Sequence, residues 1–254
     1  MLYLVGVGLS YKDVSPRAMD ALLLCDGIHI DYHTSVVDGK TLELVESETG
    51  IKPTALERRQ FEDDAAKLVR QASASNVAVL FGGDPLVATT HKILFIEAKR
   101  QSVKVETIHS VSAISVAIGE SGLDFYRFGP VCTIASWSEH YKPTSFYETI
   151  ASNATQGSHS LVLLDFDRRG HSMDLGSAIR ILEEAERQHG KGIINEETQM
   201  IIMHSITQDG ERKILTTLGA AKKLALPEGP TLLILPGRTT DIERECMAAM
   251  LGGV

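Results

Sequence analysis

The chain has 254 residues and a formal net charge of −8, with 43% of its residues hydrophobic and 23% charged. This length suffices for one large domain or two compact ones, and the composition is that of an ordinary globular protein. The acidic balance disfavours bulk RNA or DNA as a partner, because binding to phosphates relies on lysine and arginine.

Short apolar runs rich in β-branched residues alternate with helical patterns, which predicts α/β architecture. The predicted strands are 2–7, 27–32, 77–81, 103–108, 131–136, 161–165, 200–206 and 232–235. One helix is expected to begin at Ser15-Pro16, and another to run from Val87 to Arg100. The clearest helix runs from Asp174 to His189, with an apolar stripe and Gly190 at its C-terminal cap.

The two halves of the chain differ in their strand pattern. The first half reads βαβα with strands of the buried type, which favours a parallel sheet. In the second half, a hairpin from Ile206 to Leu215 around Gln208-Asp209-Gly210 indicates mixed strand directions. We therefore expect an N-terminal α/β domain over residues 1–109 and a C-terminal α/β domain over residues 110–254.

A glycine-rich turn, Gly82-Gly83-Asp84-Pro85, follows the predicted strand 77–81. Ligands of open α/β sheets bind outside the carboxyl ends of the strands, and glycine lets a ligand approach the backbone closely. The turn is therefore a candidate binding site, although the same residues could simply reverse the chain.

Two further segments follow predicted strands. Gly6-Val7-Gly8-Leu9-Ser10-Tyr11 begins like a dinucleotide fingerprint, but Tyr11 stands where the third glycine belongs, so no NAD site is expected. Ser112-Ala113-Ile114-Ser115 could cap a helix or offer backbone N–H groups to a ligand.

Candidate metal-binding and aromatic residues are few. His29, Asp31 and His33 share one face of a strand and could hold a metal, but a polar face in a cleft or interface is the favoured interpretation. Trp137 and Tyr141 could line a pocket and hold a cation over a ring. The alternative is a packed loop in which Thr144 caps the next helix.

The cysteines and the N-terminus indicate the cellular compartment of the protein. Cys25, Cys132 and Cys246 lie far apart, so reduced thiols are expected and neither a disulfide framework nor a zinc site is. The N-terminus lacks the features of a signal peptide, and no apolar run is long enough to span a membrane. We expect a cytoplasmic protein without membrane association.

The run Gly83–His91, GDPLVATTH, strongly resembles the signature of the diphthine synthase family. This family belongs to the tetrapyrrole-methylase-like class of S-adenosylmethionine-dependent methyltransferases. Gly-Asp-Pro alone is shared across the class, whereas the longer run is much more specific. Segments similar to the family follow in order along nearly the whole chain: Leu2–Leu9, Tyr32–Ser35, Pro143–Tyr147, Leu163–Asp165 and Leu235–Gly237.

The resemblance implies a two-domain tetrapyrrole-methylase-like fold, with a mostly parallel sheet in the N-terminal domain, a mixed sheet in the C-terminal domain and an active cleft between them. It implies a homodimer that uses S-adenosyl-L-methionine and releases S-adenosyl-L-homocysteine, without a metal. The substrate would be the 3-amino-3-carboxypropyl-histidine of translation elongation factor 2, whose amino group is methylated successively to diphthine in diphthamide biosynthesis. No direct contact with nucleic acid is expected.

Carried over residue by residue, the implied cofactor contacts are Leu9, Asp84, Val87, Ser112, Ala113, Leu164, Ile206 and Thr231. At Ile206 and Thr231 the backbone could make the contact. A base is needed to take the proton of the substrate amine, and His91, His109 and His140 are candidates that the sequence does not separate.

Three other functions remain open. A tetrapyrrole methyltransferase acting on a corrinoid precursor would share the fold and the cofactor. An RNA ribose methyltransferase would also share the fold, but the acidic balance argues against it. A non-catalytic nucleotide-binding regulator would bind the cofactor without turnover.

Overall fold

The computed structural model describes residues 1–31, 35–56, 65–166 and 171–253. Within these ranges the chain forms two compact units, of which the first is Met1–Ala113 and the second begins at Ile114. This division lies a few residues after the boundary at 109/110 that we expect from the sequence. Each unit contains one β-sheet.

The first unit holds a five-stranded sheet in which all neighbouring strands are parallel. Its strands lie in the order β3-β2-β4-β1-β5. The strands are β1 (Leu2–Gly6), β2 (Gly27–Asp31), β3 (Thr54–Leu56), β4 (Val77–Phe81) and β5 (Val105–Ile108). The described helices between them are α1 (Pro16–Leu23), α2 (Gly39–Thr49), α3 (Ala65–Ala74) and α4 (Lys92–Arg100), with a 3-10 helix at Tyr11–Asp13.

The two central strands explain where the core of the first unit lies. Every residue of β1 and β4 is buried, as in parallel sheets that are covered on both faces. α1 begins as predicted, because the Ser15 side chain accepts a hydrogen bond from the Ala18 N–H at 3.1 Å and Pro16 occupies the first helical position.

The second unit holds a six-stranded mixed sheet in the order β11-β9-β8-β10-β7-β6. β6 and β11 pair in parallel with their neighbours, and the central strands pair antiparallel. The strands are β6 (Cys132–Ile134), β7 (Ser160–Leu164), β8 (Gln199–His204), β9 (Arg212–Thr217), β10 (Thr231–Leu235) and β11 (Gly252–Gly253). The helices from the end of the first unit onward are α5 (Ala113–Glu120), α6 (Ser145–Gln156), α7 (Leu175–His189), α8 (Leu218–Ala221) and α9 (Asp241–Met250), with a 3-10 helix at Phe125–Arg127.

The burial and the caps of helix α7 explain why the sequence predicts this helix clearly. Its stripe of apolar side chains is buried in the core of the second unit. The Asp174 side chain caps the first turn by accepting from the Ser177 N–H at 2.8 Å. Gly190 ends the helix in the left-handed region, with φ of +64°.

The predicted α/β architecture, with a parallel sheet and a mixed sheet, is confirmed. The predicted helix start at Val87 is wrong: α4 begins at Lys92, and Ala88 has a left-handed φ of +54° that a helix cannot include. The hairpin of β8 and β9 is confirmed, but β8 ends at His204 and leaves Ile206 in the connecting loop.

Among the residues that the structure describes, no helix is long and apolar enough to cross a membrane. The three cysteines are free. Burial raises the pKa of Cys25 to about 11 and that of Cys132 to about 12, so both thiols stay protonated and unreactive near neutral pH.

Candidate functional site

Three loops meet at the carboxyl ends of β1, β4 and β5, which we call the first edge. The loops span residues 7–10, 82–91 and 109–112. Because β1 lies between β4 and β5 in a parallel sheet, its loop is flanked by the other two. Open α/β sheets bind ligands at such an edge.

Glycine is what allows two of these loops to touch. The Gly83 N–H donates to the Gly8 carbonyl oxygen at 2.7 Å, and the Gly8 N–H donates back to the Gly83 oxygen at 3.4 Å. Gly8 has a left-handed φ of +76°, and a Cβ on Gly6 would lie 2.6 Å from the Gly83 oxygen. A Cβ on Gly6 would therefore push the two loops apart, and one on Gly8 would lie 2.2 Å from the Cβ of Asp13.

Gly83 is buried too, but unlike Gly6 and Gly8 it has room for a Cβ without a clash. A Cβ placed there would meet the Leu9 Cδ2 at 3.8 Å, the Val111 oxygen at 3.8 Å and the Ser112 Cα at 4.0 Å. These are ordinary contact distances, and the three neighbours come from the loops on either side. We call this room for a Cβ between Leu9 and Ser112 the Gly83 cradle.

Asp84 is fixed by three donors. Its Oδ1 accepts from the Leu86 N–H at 2.9 Å, and its Oδ2 accepts from the Ser110 N–H at 3.3 Å and lies 2.7 Å from the Nδ1 of His109. Its side chain is only 8% exposed, whereas that of His109 is 66% exposed. Asp84 therefore joins the loop after β4 to the loop after β5.

Asp13 fixes the third loop, a role that the sequence analysis missed. Its Oδ2 accepts from the Leu9 N–H at 3.1 Å, and from the Ser10 N–H at 2.9 Å and hydroxyl at 3.1 Å. The signal that could have revealed it is the Ser-x-x-Asp spacing from Ser10, which resembles that of capping residues at helix starts.

A buried histidine–aspartate pair joins the loop after β4 to the end of β2. The Nε2 of His91 lies 3.2 Å from the Oδ2 of Asp31 at the end of β2, and both side chains are at most 2% exposed. The Nδ1 of His91 contacts the Thr89 hydroxyl, and its ring packs 4.5 Å from that of Phe81. With both ring nitrogens engaged and no access to solvent, His91 cannot serve as the base.

The same pair shows that the partner of Asp31 differs from the one grouped with it in the sequence analysis. The sequence groups it with His29 and His33, but the structure pairs it with His91, and the Nε2 of His29 lies 3.3 Å from the Oε1 of Gln71. His33 lies outside the described residues, as do Tyr32 and Thr34 of the family-like segment 32–35. Within the described ranges, no group of three metal-ligating side chains occurs.

The remaining three predicted contacts meet in the second unit. β7 and β8 end, and the antiparallel β10 begins, at one edge of its sheet, which we call the second edge. Leu164 ends β7, Thr231 begins β10, and Ile206 follows β8 by two residues. Leu164 and Ile206 are buried.

A buried histidine organises the second edge. The Nδ1 of His204 lies 2.9 Å from the Thr231 hydroxyl, and its Nε2 lies 3.2 Å from that of Ser205. Burial, helped by the charge of Arg212, lowers the pKa of His204, which keeps it neutral at physiological pH.

The loop after His204 is strained. Ser205 and Thr207 have left-handed φ values of +47° and +65° without being glycine. Such residues cluster at functional sites and cost about 1–3 kcal/mol each. Nothing in the local sequence marks this strain, because neither glycine nor asparagine occupies the two positions.

Trp137 and Tyr141 lie in the second unit. Trp137 donates its Nε1–H to the Pro143 oxygen at 3.0 Å, and the Nζ of Lys142 lies 5.9 Å from its ring centroid, so this ring already faces a cation. Tyr141 is exposed. Thr144 is the N-cap residue of α6, as the alternative has it, but its hydroxyl lies 3.0 Å from the Nε2 of His189 and makes no capping bond.

A cavity of about 690 Å³ lies beside this aromatic loop. Its lining includes Ser136, Trp137, Lys142, Met173, Asp174 and Arg180. None of the eight predicted cofactor contacts lines it, but its lining residue Ser172 accepts a hydrogen bond from the Thr231 N–H at 3.4 Å, so the cavity adjoins the second edge.

Known proteins with similar sequences identify the family of this chain. The family model for Tetrapyrrole (Corrin/Porphyrin) Methylases matches residues 1–222. The chain belongs to this family. It is 38% identical to a diphthine synthase of Methanothermobacter thermautotrophicus, over 99% of this chain and 96% of that protein.

Two further relatives of the tetrapyrrole methylase fold are informative. The chain is 35% identical to a diphthine methyl ester synthase of Candida glabrata, over 74% of this chain and 63% of that protein. It superposes on a crystal structure of diphthine synthase with a TM-score of 0.86 at 26% identity, covering 100% of this chain and 96% of that one. The resemblance read from the sequence is thereby confirmed, and the chain is a methyltransferase.

The eight cofactor contacts stay predictions. The structure places Leu9, Asp84, Val87, Ser112 and Ala113 at the first edge and the other three at the second. Within the first group the Gly83 cradle is adjacent to Leu9 and Ser112. Val87 is exposed on the same loop, and Ala113 begins helix α5.

Proposed function

We propose that this chain is a diphthine synthase. It uses S-adenosyl-L-methionine to methylate, successively, the amino group of the 3-amino-3-carboxypropyl-histidine of translation elongation factor 2, and the product is diphthine. The observation that carries the proposal is the 38% identity to a diphthine synthase over nearly the whole of both chains.

The first edge fits the cofactor in a way that the structure lets us test. The Gly83 cradle places backbone without a side chain between Leu9 and Ser112, and a Cβ there would meet atoms of both at ordinary contact distances. Ser112 directly precedes α5, and the dipole of a helix favours anionic groups at its N-terminal end. This edge therefore suits the carboxylate of a ligand.

The residues at the first edge would bind the cofactor and align it with the substrate. S-adenosylmethionine supplies, when bound, a methyl group already activated by its sulfonium sulfur. Asp84 has both oxygens engaged by protein donors, so its main contribution is to hold two loops in place. Leu9 supplies an apolar wall, which also helps to exclude water from the reacting atoms.

The second edge would supply further contacts. The neutral His204 contacts the hydroxyl of Thr231, and Leu164 and Ile206 are buried beside it. We propose that Leu164, Ile206 and Thr231 contact the cofactor.

The test is intact-mass spectrometry of elongation factor 2 that bears the 3-amino-3-carboxypropyl-histidine, after incubation with this chain and S-adenosylmethionine. We expect mass gains in steps of one methyl group, and no gain with elongation factor 2 that lacks the modification. The family description includes corrin methylases, so a corrinoid precursor is the competing substrate. Methylation of that precursor alone would overturn the proposal.

We also propose that the protein is a cytoplasmic homodimer that binds neither membranes nor nucleic acid directly. The free, buried thiols of Cys25 and Cys132 are typical of a reducing compartment, and the acidic net charge disfavours phosphate backbones. Light scattering should give twice the chain mass of 27.7 kDa.

A further inference from the structure

We propose that His109 is the general base that takes the proton from the substrate amine before each methyl transfer. This inference rests on the proposed function, since it names the residue that the reaction needs and that the sequence does not assign. His109 lies in the loop after β5, three residues before Ser112.

The geometry around His109 is that of a histidine oriented by a carboxylate. Its Nδ1 lies 2.7 Å from the Oδ2 of Asp84, which is itself held by the N–H groups of Leu86 and Ser110. An ionised carboxylate can only accept, so the Nδ1 of His109 carries the proton and the Nε2 holds a free lone pair. Asp84 is the charged group in contact with His109 within the described residues.

The exposure of the His109 side chain makes the lone pair of its Nε2 accessible to a substrate. Asp84 is 8% exposed and His109 is 66% exposed, so the carboxylate is shielded while the imidazole reaches solvent. In the described part of the chain, the Nε2 of His109 receives no hydrogen bond from protein. It can therefore accept a proton from a bound amine and pass that proton to water.

The two other candidate histidines lack this combination. His91 is buried, with one nitrogen on Asp31 and the other on Thr89. His140 has a side chain that is 90% exposed and lies 4.0 Å from an equally exposed Glu139, so nothing fixes its tautomer or its orientation.

The number of protons on the substrate nitrogen shows how often the base acts. The substrate ammonium gives one proton to the Nε2 of His109, and the freed nitrogen lone pair forms a bond to the methyl carbon. The carbon–sulfur bond breaks, and its electron pair stays on the sulfur. Mono- and dimethylated nitrogens again carry a proton that must leave, whereas a trimethylated nitrogen carries none, so the base serves each transfer and is idle after the third.

The test variant is His109→Asn, because the asparagine amide N–H can still donate to Asp84 while the basic lone pair is lost. His140→Asn is the matched control, also at an exposed histidine beside a carboxylate. With His109→Asn at pH 7 we expect a single-turnover rate about 100-fold lower, within the usual range for losing a general base. The rate of the control should be unchanged.

Three readouts separate a base from a structural residue. The affinity of His109→Asn for S-adenosylmethionine, measured by calorimetry, should stay within about twofold of that of the unmodified chain, as expected when only a transition-state contact is lost. Its rate deficit should shrink as the pH rises, because water and hydroxide then deprotonate the amine. Added imidazole should restore part of the rate, and nitrogen NMR of the unmodified chain should show His109 protonated on Nδ1.

Several outcomes would overturn the role of His109. They are an unchanged rate and pH profile in His109→Asn, a loss confined to cofactor affinity, or an Nε2-protonated tautomer in the unmodified chain. By contrast, an unmodified chain that binds S-adenosylmethionine but transfers no methyl group to elongation factor 2 would overturn the proposed function itself.

Discussion

At the first edge, glycine serves two different needs. At Gly6 and Gly8 the neighbouring protein atoms leave no room for a Cβ. At Gly83 a Cβ would fit, and the constraint is a left-handed φ of +80°. Only the last position can be substituted without a clash, which makes it the place to test ligand binding.

We predict that Gly83→Ala lowers the affinity for S-adenosylmethionine at least about tenfold, because the new methyl group fills the cradle. The left-handed backbone should also cost about 1 kcal/mol of the free energy of unfolding. Gly190→Ala is the matched control: its φ is +64° and nothing lies near its Cβ position. It should lose similar stability and no affinity, as measured by calorimetry and urea denaturation. Equal affinities in the two variants would contradict the cradle as a binding site.

Two histidine–aspartate pairs show how burial decides a role. Asp31 and His91 are sealed in the first unit, where the pair ties the end of β2 to the loop before α4. Asp84 and His109 make a shorter contact, with the carboxylate covered and the imidazole exposed. The first pair can stabilise but cannot exchange protons with a substrate, and the second can do both.

At the scale of elements, the long apolar patterns were predictable and the short ones were not. β4 occupies the predicted residues 77–81, and α7 lies within the predicted 174–189, because burial on both faces or along one stripe leaves a strong local pattern. β3 and β11 have three and two residues, too few to show any periodicity. The start of α4 depends on the backbone of Ala88, which no residue type announces.

The candidate site was predictable only in part for a related reason. Loops at the carboxyl ends of strands follow from the α/β pattern, and the GDPLVATTH run supplied the resemblance. The contacts that shape these loops, such as Asp84 with His109 and Asp31 with His91, join residues separated by 25 and 60 positions. Pairs so distant in sequence leave no local signal.

Helix α9 is anchored to the second unit by one buried carboxylate. Glu243 accepts from the Asp124 N–H at 3.0 Å and from the Thr240 N–H at 2.8 Å, and it pairs with His159 at 3.0 Å and with Arg127. Burial alone would raise the pKa of Glu243, but these hydrogen bonds together lower it to about 2.

We predict that this carboxylate makes the protein acid-labile. Its pKa is about 2 in the folded chain and 4.5 ordinarily, so the unfolded chain takes up the proton first as the pH falls. The stabilisation is present above pH 4.5 and is lost as the pH falls toward 2. Its size is about 3 kcal/mol, since one pKa unit corresponds to about 1.4 kcal/mol.

Urea denaturation of Glu243→Gln at several pH values checks this. The variant should be less stable than the unmodified chain at neutral pH, and the difference should shrink as the pH falls below 4.5. Glu245→Gln, at an exposed position of the same helix, is the control and should follow the unmodified chain. A constant difference across the pH range would show that Glu243 acts through packing and not through its charge.

At the scale of the whole molecule, the relatives divide by product. The similarity covers 96% of a diphthine synthase but only 63% of a diphthine methyl ester synthase. The difference is chemical as well. Methylation of the amine ends by itself at the quaternary nitrogen, which has no lone pair left, whereas an ester requires attack by a carboxylate oxygen and a second way of aligning the substrate.

We predict that this chain stops after three methyl groups, all on nitrogen. The proposed base, His109, is suited to an ammonium proton and has no task on a carboxylate, which is already ionised at neutral pH. Intact-mass spectrometry at long incubation times should show a final product with three added methyl groups. Mild alkali, which cleaves methyl esters and spares N-methyl groups, should leave that mass unchanged. A fourth methyl group that alkali removes would place this chain with the methyl ester synthases and would require a second substrate orientation at the first edge.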